Sequence, residues 1–428
     1  MSDLSAHRQG IAGDTMAAAA PTAARPRRQP LAGARSGFVA TTVPVEAMLA
    51  ELARSPELVA GTAYQTACWL GAWYTALGTR PEVAPLAVAV RAATDGRLAL
   101  FLPLIAVRSG GLRTVEFADL GVTDYNLPIL GPAAPGDQAG AVALWQAARA
   151  CLPSADLARL AKMPATIAGR ANPLALLPGV VPSPVFGNLI EVGDDYRQWQ
   201  QDALDGFVRN DLRRAARRFE RHAGAVYLRV RDLATARRVY EDLRAMQRRR
   251  AAEAGFAYRL DEPAYDAVYR QALEAGLGDG SVVLTALSVG EETVAASFAI
   301  SDGRSCAMLR IADAGGDWRR KCMVGRLLMD RTMAQLHEEG YRSFDLSLGD
   351  QFYKRRIGAR PIALVELTQA LSPRGAPQLA LDRARAFVRT QPALALLGQR
   401  LRNAGANLAL LARRMPWMSS VAPMALMA

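Results

Sequence analysis

Apolar positions along this chain follow two periods, and the two periods alternate twice in the same order. Leu86–Ala93 and Arg97–Val107 are apolar runs joined by Thr94-Asp95-Gly96, whose Asp-Gly pair marks a hairpin turn. Leu112–Ala118 follows Gly110-Gly111 as a third strand. A loop then carries Thr123-Asp124-Tyr125-Asn126-Leu127-Pro128, and a helix over 138–151 leads to a short strand near 156–161. Further along, Ser281–Val289 and Thr293–Ile300 are joined by Gly290-Glu291-Glu292, and Ser305–Ala312 follows Asp302-Gly303-Arg304. A helix over 323–338 and a strand over 342–347 complete the second set. In that helix Gly325, Leu328, Met329, Thr332, Met333 and Leu336 share one face, as a helix packed on a sheet requires. Strand–turn–strand–strand–helix–strand therefore occurs twice, which predicts an α/β (α+β) protein of two repeated units.

The remaining segments arrange themselves around the repeat. Residues 45–54 and 63–77 read as helices, the second breaking at Gly78, and 195–222, 232–250 and 263–275 form a helical insertion between the copies. The expected organisation is a disordered tail over 1–40, rich in Ala, Pro, Arg and Gly, and a first unit over 41–190. A second unit over 191–371 contains the Arg-rich helices, and an amphipathic helical tail spans 372–428.

Composition narrows the chemistry. With 428 residues, 51% hydrophobic and 21% charged, the chain can bury a full core, and no apolar stretch is long enough to cross a membrane. The N-terminus lacks the apolar core of a secretory signal, and four scattered cysteines give no disulfide or metal-ligand spacing, which points to a reducing cytoplasm. The three histidines, His7, His222 and His337, do not stand where a Ser-His-Asp arrangement would need them. No GxGxxG follows a strand and no GxxxxGK[ST] occurs. The net charge of +12 is carried by arginine: Lys162, Lys321 and Lys354 are the only lysines. Fourteen arginines stand against five acids between Arg209 and Arg250, a stretch suited to phosphorylated ligands or anionic surfaces, or simply to solvated helix faces.

Two segments concentrate polar chemistry. After the strand Met308-Leu309-Arg310-Ile311-Ala312, the cations of Trp318-Arg319-Arg320-Lys321-Cys322-Met323-Val324-Gly325 precede a helix whose first amides and positive dipole end attract phosphate. Cys322 stands where a thiolate would be stabilised. The next strand runs into Phe344-Asp345-Leu346-Ser347-Leu348-Gly349-Asp350-Gln351-Phe352-Tyr353-Lys354, where Asp350, Tyr353 and Lys354 could supply an acceptor, an acid and a cation.

The run from Gly340-Tyr341-Arg342-Ser343-Phe344-Asp345 through Gly349-Asp350-Gln351-Phe352-Tyr353-Lys354 resembles the G…D…G-D-x-x-Y-K signature of the CelD-like acetyltransferases, tandem members of the GNAT superfamily akin to FemAB peptidyltransferases. Phe101-Leu102-Pro103-Leu104, Thr123-Asp124-Tyr125 and the arginines Arg209, Arg213, Arg214 and Arg217 resemble further features in the same order. The likeness covers roughly 60–370 and implies two tandem GNAT-like units, each a mixed twisted sheet flanked by helices. It also implies acyl transfer from acetyl-CoA or a longer acyl-CoA to an amine or hydroxyl acceptor, without a metal, in bacterial cellulose, exopolysaccharide or cell-envelope synthesis. Pantetheine would lie along Leu309, Arg310 and Ile311, and the pyrophosphate would meet Arg320, Lys321, Cys322, Met323, Val324, Gly325 and Arg326. In the superfamily's Q/R-x-x-G-x-G/A pattern the first glycine is replaced here by Met323. Asp350 and Tyr353 are the expected catalytic base and acid, and Lys354, Asp124, Tyr125 and Arg213 the expected substrate contacts.

Two alternatives stay open at this level. One is an aminoacyl-tRNA-dependent FemAB-like transferase, although nucleic acid is not the expected partner. The other is a catalytically degenerate tandem GNAT acting as a scaffold. The acceptor would be a small molecule, a glycan or a peptidyl group. The protein is expected in the cytoplasm, its C-terminal tail either packed on the units or lying on the inner face of the membrane.

Overall fold

The computed structural model describes residues 37–349 and 352–390. The expected N-terminal tail lies mostly outside the described residues, as does the amphipathic tail beyond Thr390. Within the described residues the chain opens with β1 (Phe38–Val43) and α1 (Val45–Arg54). A 3-10 turn at Ala63–Gln65 then leads into α2 (Ala67–Leu77), started by Thr66, whose hydroxyl accepts from the Trp69 amide. Next come β2 (Val83–Ala92), β3 (Leu98–Ser109), β4 (Leu112–Phe117), the short β5 (Ile129–Leu130), α3 (Gln138–Cys151) and β6 (Leu157–Pro164). The two-residue strands β7 (Thr166–Ile167) and β8 (Arg170–Ala171) and the long β9 (Val181–Glu191) follow.

The expected helix over 195–222 is two helices, α4 (Tyr196–Ala203) and α5 (Gly206–Glu220), because Asp205 turns the chain and caps the second of them by accepting from the Phe207 amide. The second set continues with β10 (Ala225–Val230), α6 (Leu233–Glu253), α7 (Pro263–Gly276), β11 (Val282–Val289), β12 (Glu292–Ser301) and β13 (Ser305–Asp313). After these come α8 (Gly316–Arg320), α9 (Val324–Glu338), β14 (Ser343–Asp345), α10 (Phe352–Arg356), β15 (Arg360–Ala370) and α11 (Ala376–Thr390). β1 begins inside the span read as a tail: Phe38–Val43 pairs with β2 in antiparallel register, an edge strand too short to show a clear period in sequence.

All the long strands join one mixed sheet in the order β1-β2-β3-β4-β6-β15-β9-β14-β13-β12-β11-β10. Read from either end the order is the same set of steps. An antiparallel meander is followed by a parallel neighbour reached through a helix, β6 through α3 on one side and β14 through α9 on the other. The fold is therefore mixed α/β, one large mixed sheet of two similarly wired repeats flanked by helices. The centre is an exchange. β9, which follows β6 in the chain, pairs with β14 of the second repeat, whereas β15, which follows β14, pairs with β6 of the first. The two exchanged strands then pair with each other, antiparallel, from Arg360 opposite Leu189 to Glu366 opposite Val181.

Helices lock the same junction. Trp69, Trp73, Tyr64, Tyr240, Leu273 and Phe298 form one buried cluster drawn from both repeats. Trp69 meets Tyr269 edge-on at 5.6 Å, and a Cβ at Gly276 would stand 2.6 Å from Cys68 Sγ, so α2 and α7 approach closely because position 276 has no side chain. α9 is pinned to the sheet beneath it by a buried hydroxyl chain, Ser297–Thr285–Thr332, with spacings of 2.7 and 2.8 Å.

The exchange has a measurable consequence. A chain cut at the exposed Gly193 leaves each fragment holding a central strand that belongs to the other's sheet. Expressed alone, residues 37–192 and 194–390 are expected to be unfolded or insoluble, and co-expressed to recover a one-to-one folded complex. Circular dichroism and size-exclusion chromatography check this, and two independently folded fragments would refute it.

Candidate active site

β13 and β14 run parallel for three residue pairs only, Ser305–Ser343, Cys306–Phe344 and Ala307–Asp345. Beyond them β13 continues to Asp313 while β14 stops, so the sheet forks. Leu309 is the extra residue of a β-bulge, since Phe298 pairs with Arg310 and Ala299 with Met308. The other side of the fork is held by Ser347, in left-handed conformation at φ 64°, whose hydroxyl donates to the Met308 carbonyl at 3.2 Å. The opened edge is a cleft of about 500 Å³ lined by Ile311, Asp313, Met323, Gly325, Met329 and Tyr353, with Arg250, Arg319 and Arg326 around it. Arg319 is tied to Asp313 at 2.8 Å, whereas Arg250 and Arg326 have no carboxylate partner among the described residues.

At the end of this cleft α9 begins without a side-chain cap. Its N-cap residue is Met323 at φ 47°, ψ 39°, a left-handed conformation that favours glycine. The position where the family pattern has glycine thus has the backbone of a glycine and the side chain of a methionine. Gly325 sits within the first turn, two residues past Met323, where an added Cβ would lie 3.3 Å from Asp313 Oδ2.

The expected donor-binding residues divide. Ile311, Met323, Gly325 and Arg326 line the cleft. Arg320 and Lys321 instead bond Asp317, at 2.6 and 2.7 Å, on the exposed short helix α8, which occupies what the sequence suggests is a basic turn. Cys322 and Val324 are buried in the layer under α9, and burial pushes the Cys322 thiol up, favouring its neutral form. Leu309 and Arg310 turn to the opposite face of β13 and pack towards α6 and α7. Arg213 is exposed on α5 and is not among the cleft-lining residues.

The crotch of the fork holds a second group of polar side chains. Asp345 is buried, and its Oδ1 accepts from the Ser347 amide at 2.5 Å and from the Tyr125 hydroxyl at 3.0 Å. Burial raises its carboxyl to about 7, with Asp124 adding to the rise; the Ser347 and Tyr125 hydrogen bonds and the Lys354 charge oppose it. Asp124 accepts from the Tyr64 hydroxyl at 3.1 Å, and that hydroxyl also lies 3.3 Å from Ser347 Oγ. Both phenols are held well above their ordinary range by burial and by these carboxylates. Tyr125 reaches Asp345 only because β9 carries Gly187 beneath it: a Cβ there would stand 1.9 Å from the Tyr125 hydroxyl.

Lys354, 3% exposed, donates to the carbonyls of Ser347 at 3.2 Å and Leu348 at 2.7 Å. Burial lowers its pKa while Asp124 and Asp345 hold it up. Asn188 donates to the Ser347 and Gly349 carbonyls, both at 2.9 Å, so lysine and asparagine together fix the loop leaving β14. Tyr353 lines the cleft, its phenol raised by burial and lowered in part by Arg250. Asp350 lies outside the described residues. Asp345 is the residue that sequence reasoning passed over. Its signal was one carboxylate between Phe344 and Leu346 at the end of an apolar strand.

The first repeat has the corresponding fork, between β4 and β6 beyond Glu116 and Arg159, but its own loop closes it. The Asn126 amide donates to the Lys162 carbonyl at 3.1 Å, and its side chain donates to Asp119 and to the Ala161 carbonyl, both at 3.0 Å. Lys162 pairs with Asp119 at 2.6 Å and donates to the Thr123 carbonyl. The start of α3 is capped by Asp137, which accepts from the Gly140 amide at 2.9 Å, so a carboxylate already sits where an anion would bind. The plugging loop carries Asp124 and Tyr125 across to the open fork of the second repeat.

Residues 206–355 match the family model described as an acetyltransferase (GNAT) domain. No curated protein matches the chain. Among solved structures, that of FemX is similar at a TM-score of 0.53 and 12% identity, over 80% of this chain and 99% of that one, a likeness of fold. L-PGS from Bacillus licheniformis aligns at a TM-score of 0.44 and 12% identity, over 80% of this chain and 97% of that one. A tandem GNAT protein from the clavulanic acid biosynthesis pathway aligns at 0.40 and 13%, over 78% and 99%.

Substitutions at two positions test this geometry through stability alone. A carboxyl raised on folding lends stability that is complete below its unfolded pKa of about 4 and is lost as pH rises through its folded value. The wild type should therefore weaken between pH 4 and its folded value of about 7, and Asp345→Asn, which cannot ionise, should not. At pH 8 the variant is expected to be the more stable by about 2–4 kcal/mol, the gap closing towards pH 4. Urea melts across that range decide it, and a gap that ignores pH refutes the assignment. At the start of α9, Met323→Val should destabilise by about 1–2 kcal/mol, since a β-branched residue tolerates left-handed backbone least, whereas Met323→Gly should cost nothing measurable.

Proposed function

We propose that this protein moves an acyl group from acyl-CoA to an amine or hydroxyl acceptor, with the donor in the cleft between β13, α9 and Tyr353. The observation that carries the proposal is the conjunction at one fork. An uncapped helix start and two arginines without a carboxylate partner among the described residues face a cleft beside β13, past the point where its pairing with β14 stops, and a buried carboxyl raised to about 7 stands on the last paired residue of that fork. Helix amides and guanidinium groups suit a pyrophosphate. Unpaired strand edge suits the amide groups of a pantetheine arm, which would extend the sheet as an added strand does.

In the proposed reaction the acceptor nitrogen or oxygen attacks the thioester carbonyl. A new C–N or C–O bond forms, the C–S bond breaks and the thiolate leaves. Asp345, its Oδ1 held by the Tyr125 hydroxyl, takes the acceptor's proton, directly or through a water, and gives it up to solvent before the next turnover. Tyr353, in the cleft wall, protonates the departing thiolate. Asp345 thereby takes the role that the sequence gives to Asp350, while Lys354 acts by holding the loop that shapes the fork. The closed fork and capped α3 of the first repeat support a single donor site per chain. The family likeness read from the GDxxYK segment extends the proposal to a CelD-like role in cellulose, exopolysaccharide or cell-envelope synthesis. No described helix is long and apolar enough to cross a membrane.

Isothermal titration with acetyl-CoA and longer acyl-CoAs tests the proposal. One molecule is expected to bind per chain, and Arg250→Ala and Arg326→Ala should each weaken binding about tenfold, the effect of losing one charge-assisted hydrogen bond. Absence of binding by every acyl-CoA would end the proposal, and two equivalents per chain would refute the single site.

A further inference from the structure

Arg310 stands on β13, two residues past Met308, whose carbonyl anchors the fork, but its side chain leaves the sheet on the face away from the cleft. Its Nη1 donates to Gln247 Oε1 at 3.2 Å and its Nη2 to the Tyr269 hydroxyl at 3.1 Å. The guanidinium lies over the Tyr269 ring, 4.3 Å from its centroid. Tyr258 donates to the same Gln247 oxygen at 3.0 Å. Every one of these partners is neutral, and the Arg310 Nε is buried with no acceptor at all.

Other arginines set as deeply here are neutralised. Arg229, with a side chain 10% exposed, reaches Glu339, and Arg244, 16% exposed, reaches Asp266 and Glu241. Asp266, the carboxylate buried in the same helical layer, is taken by Arg244, by Arg270 at 2.6 Å and by the Tyr240 hydroxyl at 2.8 Å. A guanidinium drawn into protein without a carboxylate is costly, and the cost is recovered when an anion arrives. A row of edge-to-face rings, Tyr125–Tyr64–Trp69–Tyr269, connects this guanidinium to the carboxylates at the crotch, with centroids 5.8, 5.9 and 5.6 Å apart.

We propose that Arg310 binds an anionic group, a carboxylate or a phosphate, on the acceptor, which enters from the α6–α7 face while the donor occupies the α9 face. The inference rests on the acyl-transfer reading for the word acceptor, but the anion site stands on the Arg310 geometry alone. It excludes neutral amines and alcohols as good substrates.

Three probes that share an amine and differ in charge test it: β-alanine, phosphoethanolamine and ethanolamine, titrated against the full chain at constant ionic strength and followed by thermal shift. At least one of the two anionic probes is expected to raise the melting temperature of the wild type, and ethanolamine is not. A response to β-alanine alone identifies a carboxylate, and to phosphoethanolamine alone a phosphate. Arg310→Gln is expected to fold, since it removes an unneutralised charge, to lose the anion response, and to keep acetyl-CoA affinity within about twofold of wild type, because the donor lies across the sheet. The proposal falls if no probe shifts the wild type, if ethanolamine matches the anionic probes, or if Arg310→Gln responds to them undiminished. Loss of acetyl-CoA binding by the wild type, with the anion response intact, would instead remove the donor reading and leave the anion site standing.

Discussion

Everything chemical in this molecule follows from two neighbouring strands that stop pairing after three residues. A parallel pair normally continues until one strand ends in a turn, and its backbone groups are satisfied throughout. Here β13 runs on past Ala307 with no partner on that side, which leaves backbone donors and acceptors facing a cleft. The fork stays open because its two arms are held from outside the ladder: the Ser347 hydroxyl grips Met308, and Lys354 and Asn188 grip the loop behind it. Asp345 is buried because it is the last paired residue, and its raised pKa is a product of that position. Burial, open edge and helix start are three consequences of one parting of strands.

The two repeats share this device and use it differently, and the contrast is local. In the second, α9 starts on a left-handed Met323 with no capping side chain; in the first, Asp137 caps α3 and Asn126 and Lys162 fill the fork. A capping carboxylate and a bound phosphate satisfy the same amides, so a helix start cannot serve both. The first repeat has spent its fork on structure, and the loop that closes it delivers Asp124 and Tyr125 to the other site. The exchange of β9 and β15 makes that delivery rigid, since Gly187 of β9 and Tyr125 of the first repeat meet over Asp345, which belongs to the second.

How much of this the sequence discloses depends on whether the signal is local. The eight strands of the two repeated units and their two crossing helices were legible because their periods are strong and most of their turns carry glycine. β9 and β15 were not. Pro182, Pro184 and Pro361 interrupt them and argue against central strands, yet they are tolerated because the β9–β15 ladder loses register between Ala363 and Val365. The basic run before α9 looked like a ring of cations, but Asp317 and Asp313 neutralise all three of them. Arg326, inside the helix, and Arg250, from a distant helix, are the two cleft arginines without an acid among the described residues, and no spacing rule brings Arg250 to residue 326. Asp345 and Asp350 both fit the G…D…G-D-x-x-Y-K pattern, and only the strand pairing that buries Asp345 tells them apart.

The bulge at Leu309 decides which face of the sheet Arg310 occupies. Side chains on a regular strand alternate, so Met308, Arg310 and Ala312 should share one face. With one residue inserted the phase shifts: Met308 and Ile311 point to the α9 layer, while Leu309 and Arg310 both point to the α6–α7 layer. A continuous ladder would turn Arg310 towards the cleft, beside Arg250, Arg319 and Arg326. One extra residue in one strand therefore both breaks the ladder beside the cleft and moves a guanidinium to the opposite side of the sheet. Because the inserted residue is an ordinary leucine in an apolar run, nothing in the sequence marks it, and the division of labour across β13 emerges only once register is known.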